Sequence, residues 1–197
     1  GTDARVVAKS DKPTLMFLVV GETARSQNYS LNGYRKQTNS FTEQEAGVIS
    51  FKDVRSCGTA TAVSVPCMFS TFTRKQYDAS KARNQEGLLD VLQRAGIAVH
   101  WRDNQSGCKG TCDRVAFEDV SNLKDPALCA DSECHDEILL KGLEAMLDNL
   151  QQDTVLVLHQ MGSHGPEYFK RYPKAYERFT PVCRSNALDK CDRQSII

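Results

Sequence analysis

The 197-residue sequence predicts a layered α/β/α fold built on a mostly parallel central sheet. Two observations carry this prediction. Short apolar runs of strand length alternate along the chain with segments of helical period, which is typical of parallel sheets covered by helices. Polar residues follow the apolar runs, and open sheets of this class hold their ligands at the carboxyl ends of their strands. The length suits one domain with a sizeable core, or most of a larger one.

Four strands are predicted, at residues 14–20, 48–54, 97–101 and 154–159. The first and the last, TLMFLVV and TVLVLH, are continuous apolar runs, as expected for parallel strands that are buried on both faces. Polar signatures follow the strands in turn: GETAR, SCGTAT, RDNQSG and MGSHGP. Because the carboxyl ends of parallel strands lie at one edge of a sheet, these signatures predict a shared cleft.

Two amphipathic helices are predicted between these strands, at residues 86–95 and 136–150. In the first, Leu88, Leu92 and Ala95 fall on one face, and Gly96 follows, where the end of a helix favours glycine. In the second, apolar residues recur at helical spacing. Both segments are therefore expected to pack an apolar face against the sheet.

Residues 55–67, RSCGTATAVSVPC, are the stretch around which the site is expected to form. Small residues before a helix leave its free N–H groups and the positive end of its dipole open to an anion, for which phosphate is the obvious candidate. A hydroxyl in such a turn, beside a divalent cation, can become a nucleophile. Pro66 predicts that the helix is short or kinked. The competing interpretation is a disulfide-stapled Ser/Thr loop without chemistry.

Eight cysteines fall into four pairs of close sequence neighbours. An even number of cysteines in local pairs favours disulfides, and hence an exported domain in an oxidising compartment. Zinc is the alternative ligand for paired cysteines, but no pair has the CxxC spacing of a zinc knuckle. Proximity predicts the bridges Cys57–Cys67, Cys108–Cys112, Cys129–Cys134 and Cys183–Cys191.

Composition excludes some partners. Basic and acidic residues balance at 25 each, so no overall field favours nucleic acid. The longest apolar run covers residues 15–20, which is far too short to cross a membrane. Residues 1–13 are polar and charged, and we interpret them as a linker from a segment upstream.

Four motifs together resemble a known family. VVGETAR, SCGTATAVSVPCMFS, WRDNQSGCKG and LHQMGSHGPEYFKRY are similar, in the same order and with matching cysteine pairs, to the catalytic domain of lipid A phosphoethanolamine transferases. These enzymes, which include the mobile colistin resistance type, belong to the alkaline phosphatase and sulfatase superfamily. The resemblance covers residues 15–197 and implies an alkaline-phosphatase-like or sulfatase-like fold.

The resemblance implies a function and a location. Such enzymes are anchored in the bacterial inner membrane and hold their catalytic domain in the periplasm. They take phosphoethanolamine from phosphatidylethanolamine and place it on a lipid A phosphate, which makes the surface less anionic and weakens the binding of polymyxins such as colistin. Residues 1–13 would then connect to a membrane domain, and residues 14–197 would form the N-terminal part of the periplasmic catalytic domain.

The resemblance also implies catalytic and metal-binding residues. Thr61, four residues after the first cysteine of its pair, would be the nucleophile that carries the phosphoethanolamine intermediate, with Thr59 ranked second. Glu22 of the GET motif and Thr61 would be ligands of Zn²⁺, the implied cofactor. His164 would bind the phosphoethanolamine group or donate a proton to the leaving group. His159 is interpreted as a core residue or as support for the site.

Substrate contacts are implied in the third motif. Ser106 and Lys109 would help to hold the substrate phosphate or its ethanolamine, and Asn104 is a weaker candidate. Gln105 stands where close relatives are expected to have asparagine, so its contact would be altered.

The family supplies further Asp and His zinc ligands downstream of the position of Ile197, and the chain contains no Asp-His dipeptide. The sequence is therefore expected to be a fragment with part of the metal site and little activity of its own. Two alternative functions remain open at this point. One is a metal-dependent sulfatase or phosphodiesterase of the same superfamily. The other is a disulfide-rich exported binding domain without catalysis.

Overall fold

The computed structural model describes residues 2–7 and 11–196 and shows a parallel sheet. Its four strands lie in the order β1-β6-β2-β3, and each neighbouring pair is parallel. A two-stranded antiparallel hairpin, β4 and β5, lies outside this sheet. The strands are β1 Leu15–Val20, β2 Ala98–Asp103, β3 Ala116–Asp119, β4 Cys129–Ala130, β5 Glu133–Cys134 and β6 Thr154–His159.

Short helices connect the strands. The α-helices of the described residues are α1 Thr61–Phe69, α2 Ala79–Arg83, α3 Leu88–Arg94, α4 Leu143–Asp148 and α5 Arg193–Ile196. Single turns of 3₁₀-helix occupy Ser26–Asn28, Ser30–Asn32, Thr42–Gln44, Val120–Leu123, Asp136–Leu140, Tyr168–Lys170, Lys174–Tyr176 and Leu188–Lys190.

Alternate residues of β6 feed two apolar clusters, one on each face of the sheet. Val155 and Val157 belong to the cluster that contains Phe69 of α1 and Leu89 of α3. Leu156 and Leu158 belong to the other cluster, with side chains from the 3₁₀ turn at residues 136–140 and from α4. Since successive strand residues point to opposite faces, the sheet is covered on both sides. The layered α/β/α prediction is confirmed.

The strand and helix predictions differ in accuracy. Residues 154–159 form a strand with the predicted limits, the first strand is one residue shorter than predicted, and β2 is shifted by one or two residues at its ends. The helix predicted at 86–95 is present as α3. The segment predicted as a helix at 136–150 is broken instead by Gly142, whose φ of +76° suits glycine, into a 3₁₀ turn and α4.

The strand predicted at residues 48–54 is wrong. This segment has no regular secondary structure, and its apolar side chains stay exposed, by 77% for Ile49 and 73% for Phe51. Its composition suits a strand, but a strand also needs a hydrogen-bonded neighbour, and the segment pairs with none in the described part of the chain. The strand β3 and the β4–β5 hairpin were not predicted.

All eight cysteines form disulfides, with the four pairings that proximity predicts. The alternative that the paired cysteines bind zinc is therefore wrong. Of the predicted linker, residues 1 and 8–10 lie outside the described residues, as does Ile197. Among the residues that are described, no helix has the length and apolarity needed to span a bilayer.

Candidate active site

The site is built where three neighbouring strands end side by side. In the register of the sheet, Val20 of β1 pairs with His159 of β6, which pairs with Asp103 of β2. The ladder continues one step further, since the Gln160 N–H donates to the Val20 carbonyl at 3.0 Å and the Asn104 N–H donates to the His159 carbonyl at 2.9 Å. The loops that follow these strands therefore start next to one another, as predicted.

Glu22 and Thr61 form the centre of this edge. Glu22 follows β1, and Thr61 is the first residue of α1; their side chains are joined by a hydrogen bond of 2.8 Å from the Thr61 hydroxyl to Glu22 Oε2. The Thr23 hydroxyl donates to Glu22 Oε1 at 2.5 Å, and Gln105 Nε2 lies 3.5 Å from Glu22 Oε2. Thr61 and Gln105, which lie 39 and 83 positions from Glu22 in the sequence, thus both approach its carboxylate.

The N-terminus of α1 is open beside this pair. Ala60 occupies the N-cap position without a side-chain hydrogen bond to the helix. The backbone N–H groups of Val63 and Ser64 donate to the Ala60 carbonyl at 2.9 Å, whereas those of Thr61 and Ala62 lie at the start of the first turn, where a helix offers them no acceptor of its own. Thr59 lies in the exposed loop before the helix. Thr61 is thus the threonine that combines the helix N-terminus with the Glu22 contact.

The third motif forms a short polar chain beside Glu22. The Ser106 hydroxyl donates to Gln105 Oε1 at 2.6 Å, and the Lys109 ammonium donates to both the carbonyl and the hydroxyl of Ser106 at 2.6 Å. Asn104 differs from them because it is only 1% exposed, and its amide donates to the Cys134 carbonyl and to Asp136 Oδ1, both at 2.9 Å. Asn104 therefore braces the interior instead of lining the cleft.

The loop after β6 presses against Glu22 from the other side. Gly162 has a φ of +54°, and a Cβ there would lie 2.7 Å from the Glu22 carbonyl oxygen, so a larger residue does not fit. The Ser163 N–H donates to that same oxygen at 2.9 Å. His164 comes next and is exposed, with its carbonyl accepting from Arg171 Nε at 2.6 Å. The predicted histidine is thus placed one residue from the backbone contact with Glu22.

A buried polar cluster supports the turn that carries Gln105. Asp103 Oδ2 accepts from the Trp101 indole and is bonded to His159 Nδ1, both at 2.8 Å, while Oδ1 accepts from the Gln105 and Gly107 N–H groups. Burial alone would raise the pKa of the Asp103 carboxyl, but the hydrogen bonds from His159 and Trp101, with the charge of His159 and the Gly107 N–H, hold its pKa below the ordinary value. The prediction that His159 lies in the core or supports the site is confirmed, but its partner was not predicted.

This cluster predicts an acid-sensitive contribution to stability. Because the pKa of Asp103 is lower in the folded state than the unfolded value of about 3.9, its stabilising effect is present above that pH and is lost as the pH falls through the folded-state pKa. We expect Asp103→Asn to lower the free energy of unfolding by about 1–3 kcal/mol at pH 7 and by less at pH 3. Urea unfolding at both pH values measures this, with exposed Asp113→Asn as control. Equal losses for Asp103→Asn at the two pH values would contradict the assignment.

Comparison with known proteins places the chain in a family. A family model described as Sulfatase matches residues 14–195. The chain belongs to the sulfatase family. This confirms the predicted superfamily, and the fold agrees with that of solved members. The chain superposes on the soluble domain of lipooligosaccharide phosphoethanolamine transferase A from Neisseria meningitidis with a TM-score of 0.93 and 46% sequence identity. The superposition covers 98% of this chain and 58% of that domain.

Curated relatives of the chain carry transferase names. The chain is 50% identical over 200 residues to phosphoethanolamine transferase EptA of Salmonella typhimurium, matching 100% of this chain and 36% of that protein. It is 45% identical over 204 residues to phosphatidylethanolamine transferase Mcr-1 of Escherichia coli, matching 99% of this chain and 38% of the relative. The chain therefore spans little more than a third of the length of these relatives. The predicted resemblance is confirmed.

The resemblance implies a zinc ion, and the side chains at this site supply two of the oxygen donors that such an ion would need. Glu22 supplies a carboxylate and Thr61 a hydroxyl oxygen, already within 2.8 Å of each other. Protein zinc sites are usually tetrahedral, with nitrogen, sulfur or carboxylate donors. Within residues 2–7 and 11–196, no group of three or more His, Cys, Asp or Glu side chains could hold a metal ion. The donor set fits part of a zinc site, and the remaining ligands would have to come from elsewhere.

Proposed function

We propose that the protein transfers phosphoethanolamine from phosphatidylethanolamine to a phosphate of lipid A, through a covalent intermediate on Thr61. The observation that carries this proposal is the 2.8 Å contact between the Thr61 hydroxyl and the Glu22 carboxylate at the open N-terminus of α1. It combines a nucleophile, a carboxylate that can accept its proton, and an anion-binding helix end in one place. The identity of 45–50% to two transferases supports the same reaction class.

In the first half-reaction, Thr61 Oγ1 attacks the phosphorus of phosphatidylethanolamine. An Oγ1–P bond forms, and the bond between phosphorus and the diacylglycerol oxygen breaks. Thr61 loses the proton that it now donates to Glu22, and the diacylglycerol oxygen gains one as it leaves. Exposed His164, one residue beyond the loop contact with Glu22, is our candidate for donating that proton.

In the second half-reaction, an oxygen of a lipid A phosphate attacks the same phosphorus. The new P–O bond forms as the Oγ1–P bond breaks, and Thr61 regains its proton from Glu22. The attacking lipid A phosphate gives up its own hydroxyl proton, which replaces the one that left His164. The charge of the phosphoryl group would be held in both steps by the N–H groups at the start of α1, by the Lys109 ammonium and by the Ser106 hydroxyl. Gln105, whose amide already reaches Glu22 Oε2, would orient the group from the other side.

A zinc ion held by Glu22 and Thr61, with Asp and His ligands from beyond Ile197, would lower the pKa of the Thr61 hydroxyl and screen the charge of the attacked phosphate.

The proposal also includes a cellular location for the catalytic domain. The four disulfides suit an oxidising compartment such as the periplasm, and a membrane domain outside this sequence would bring the cleft to its lipid substrates. The consequence would be resistance to polymyxins, because the modified surface is less anionic.

Intact-protein mass spectrometry of the full-length protein, loaded with zinc and incubated with phosphatidylethanolamine, tests the proposal. We expect a phosphoethanolamine adduct that maps to Thr61, persists without acceptor, and is discharged to lipid A when lipid A is added. Release of free phosphoethanolamine into water without an acceptor would instead favour the hydrolase alternative. Failure to form any adduct or product would contradict both and favour the non-catalytic binding domain.

A further inference from the structure

The geometry points to Asp136 as a positioning residue that holds Glu22 against Thr61, a role that rests on the function proposed above. Asp136 begins the 3₁₀ turn Asp136–Leu140, two residues after Cys134 of the Cys129–Cys134 hairpin. Its side chain accepts hydrogen bonds from the two loops that flank Glu22 and not from the reacting groups. Asp136 would therefore act on the site through those loops.

Both oxygens of the Asp136 carboxylate are used. Oδ1 accepts from the Met161 N–H at 2.7 Å and from the Asn104 amide at 2.9 Å, and Oδ2 accepts from the Gly162 N–H at 2.9 Å. The donors lie 25, 32 and 26 residues away in the sequence. One side chain from the stapled region thus fixes the loops after β2 and β6 at the same time.

The first branch reaches the backbone of Glu22. Gly162, held by Asp136 Oδ2, approaches so closely that a Cβ on it would be 2.9 Å from the Glu22 nitrogen and 2.7 Å from its carbonyl oxygen. The next residue, Ser163, donates its N–H to that carbonyl at 2.9 Å. A shift of the Met161–Gly162 peptide would therefore move or release the backbone that carries the Glu22 carboxylate.

Asp136 also acts near the Glu22 side chain, through Asn104 and Gln105 in the loop after β2. Asn104 is buried, and its amide donates to Asp136 Oδ1 and to the Cys134 carbonyl. Its neighbour Gln105 extends an amide to within 3.5 Å of Glu22 Oε2, the oxygen that accepts from Thr61. Asp136 thus constrains Glu22 from both sides, through its backbone and through the residue beside its carboxylate.

The chemistry of the contacts requires a carboxylate. Three N–H groups converge on Asp136, and a carboxylate can accept from all of them because it carries no hydrogen. The amide of Asp136→Asn has nearly the same size, but it replaces one acceptor oxygen by an NH₂ group that would face a backbone N–H. This substitution therefore removes a contact without creating a cavity, and it separates positioning from packing.

The test compares Asp136→Asn with wild type in the full-length protein by two readouts. One is amide hydrogen exchange at residues 161–163, and the other is the rate and donor KM of adduct formation on Thr61. Asp125→Asn is the matched control, because Asp125 lies in the same region but accepts from Ala127 and pairs with Lys141, away from the loop after β6. We expect Asp136→Asn to lose protection at residues 161–163 and to slow adduct formation at saturating donor by at least about tenfold, with little change in KM.

The two readouts separate this inference from the proposed function. Wild-type exchange at residues 161–163 in Asp136→Asn, or a wild-type rate with lost protection, would overturn the positioning role. An equal loss of protection in strand β6 would also overturn it, since that would show general destabilisation. If wild type itself forms no adduct, the proposed function fails, while the exchange at Ser163 still decides whether Asp136 holds the loop against Glu22.

Discussion

Replacing Thr61 by alanine is expected to abolish the phosphoethanolamine adduct and to lower the rate of transfer to lipid A by at least about 1,000-fold. The reason is that Oγ1 is the atom that bonds to phosphorus, and alanine leaves only the helix N-terminus and the polar chain of Gln105, Ser106 and Lys109 to bind the donor. Intact mass and a lipid A modification assay measure the two effects. The fold should persist, because Thr61 contributes no side chain to either apolar cluster.

Thr59 provides the matched control for this prediction. It lies two residues before Thr61 and is exposed, and the hydrogen bond to Glu22 Oε2 comes from Thr61 instead. Thr59→Ala should therefore keep the adduct on Thr61, and Thr61→Ser should keep a weaker version of it because the hydroxyl remains. An adduct that survives Thr61→Ala but disappears in Thr59→Ala would move the nucleophile to the other threonine.

Replacing Glu22 by glutamine is expected to weaken zinc binding by about 100-fold or more and to reduce adduct formation in parallel. A neutral amide is a poorer ligand than a carboxylate, and its NH₂ end cannot accept the Thr61 hydrogen bond. Zinc content after dialysis against graded chelator gives the affinity without reference to activity, and intact mass gives the adduct. Exposed Glu43→Gln is the control for the loss of one carboxylate. Unchanged zinc content in Glu22→Gln would exclude Glu22 as a ligand.

The central elements of the fold could be predicted because their signals are local. The runs at residues 14–20 and 154–159 are rich in apolar residues, a pattern typical of strands of this length. Residues 154–159 form the buried strand β6, whereas β1 lies at the edge of the described sheet with Met16, Phe17 and Val19 exposed, so the expected burial of the first strand on both faces is wrong. The same logic placed Glu22 and His164 at the carboxyl edge, since each follows one of these runs. The Cys57–Cys67 pairing could be predicted because these two cysteines are each other's nearest in the sequence.

Two of the three misses are non-local, and the third is a glycine inside the predicted segment. Residues 48–54 have the composition of a strand, but only a neighbouring strand can make them one, and the sequence does not say where such a neighbour lies. The prediction of one helix over residues 136–150 did not take account of Gly142, whose positive φ breaks the segment. Asp136 itself carries no local pattern, because its three partners are at least 25 residues away. Its only local signal was a polar residue two positions after the paired Cys134.

The four disulfide bridges have a consequence for how the protein responds to thiol reductants. They span 10, 4, 5 and 8 residues, so each closes a small loop and none joins distant elements of the sheet. Three of these loops border the cleft: one brackets Thr61, one contains Lys109 and one precedes Asp136. The sheet is held by buried apolar side chains instead. A reducing environment would therefore loosen the loops that form the cleft before it unfolds the apolar core.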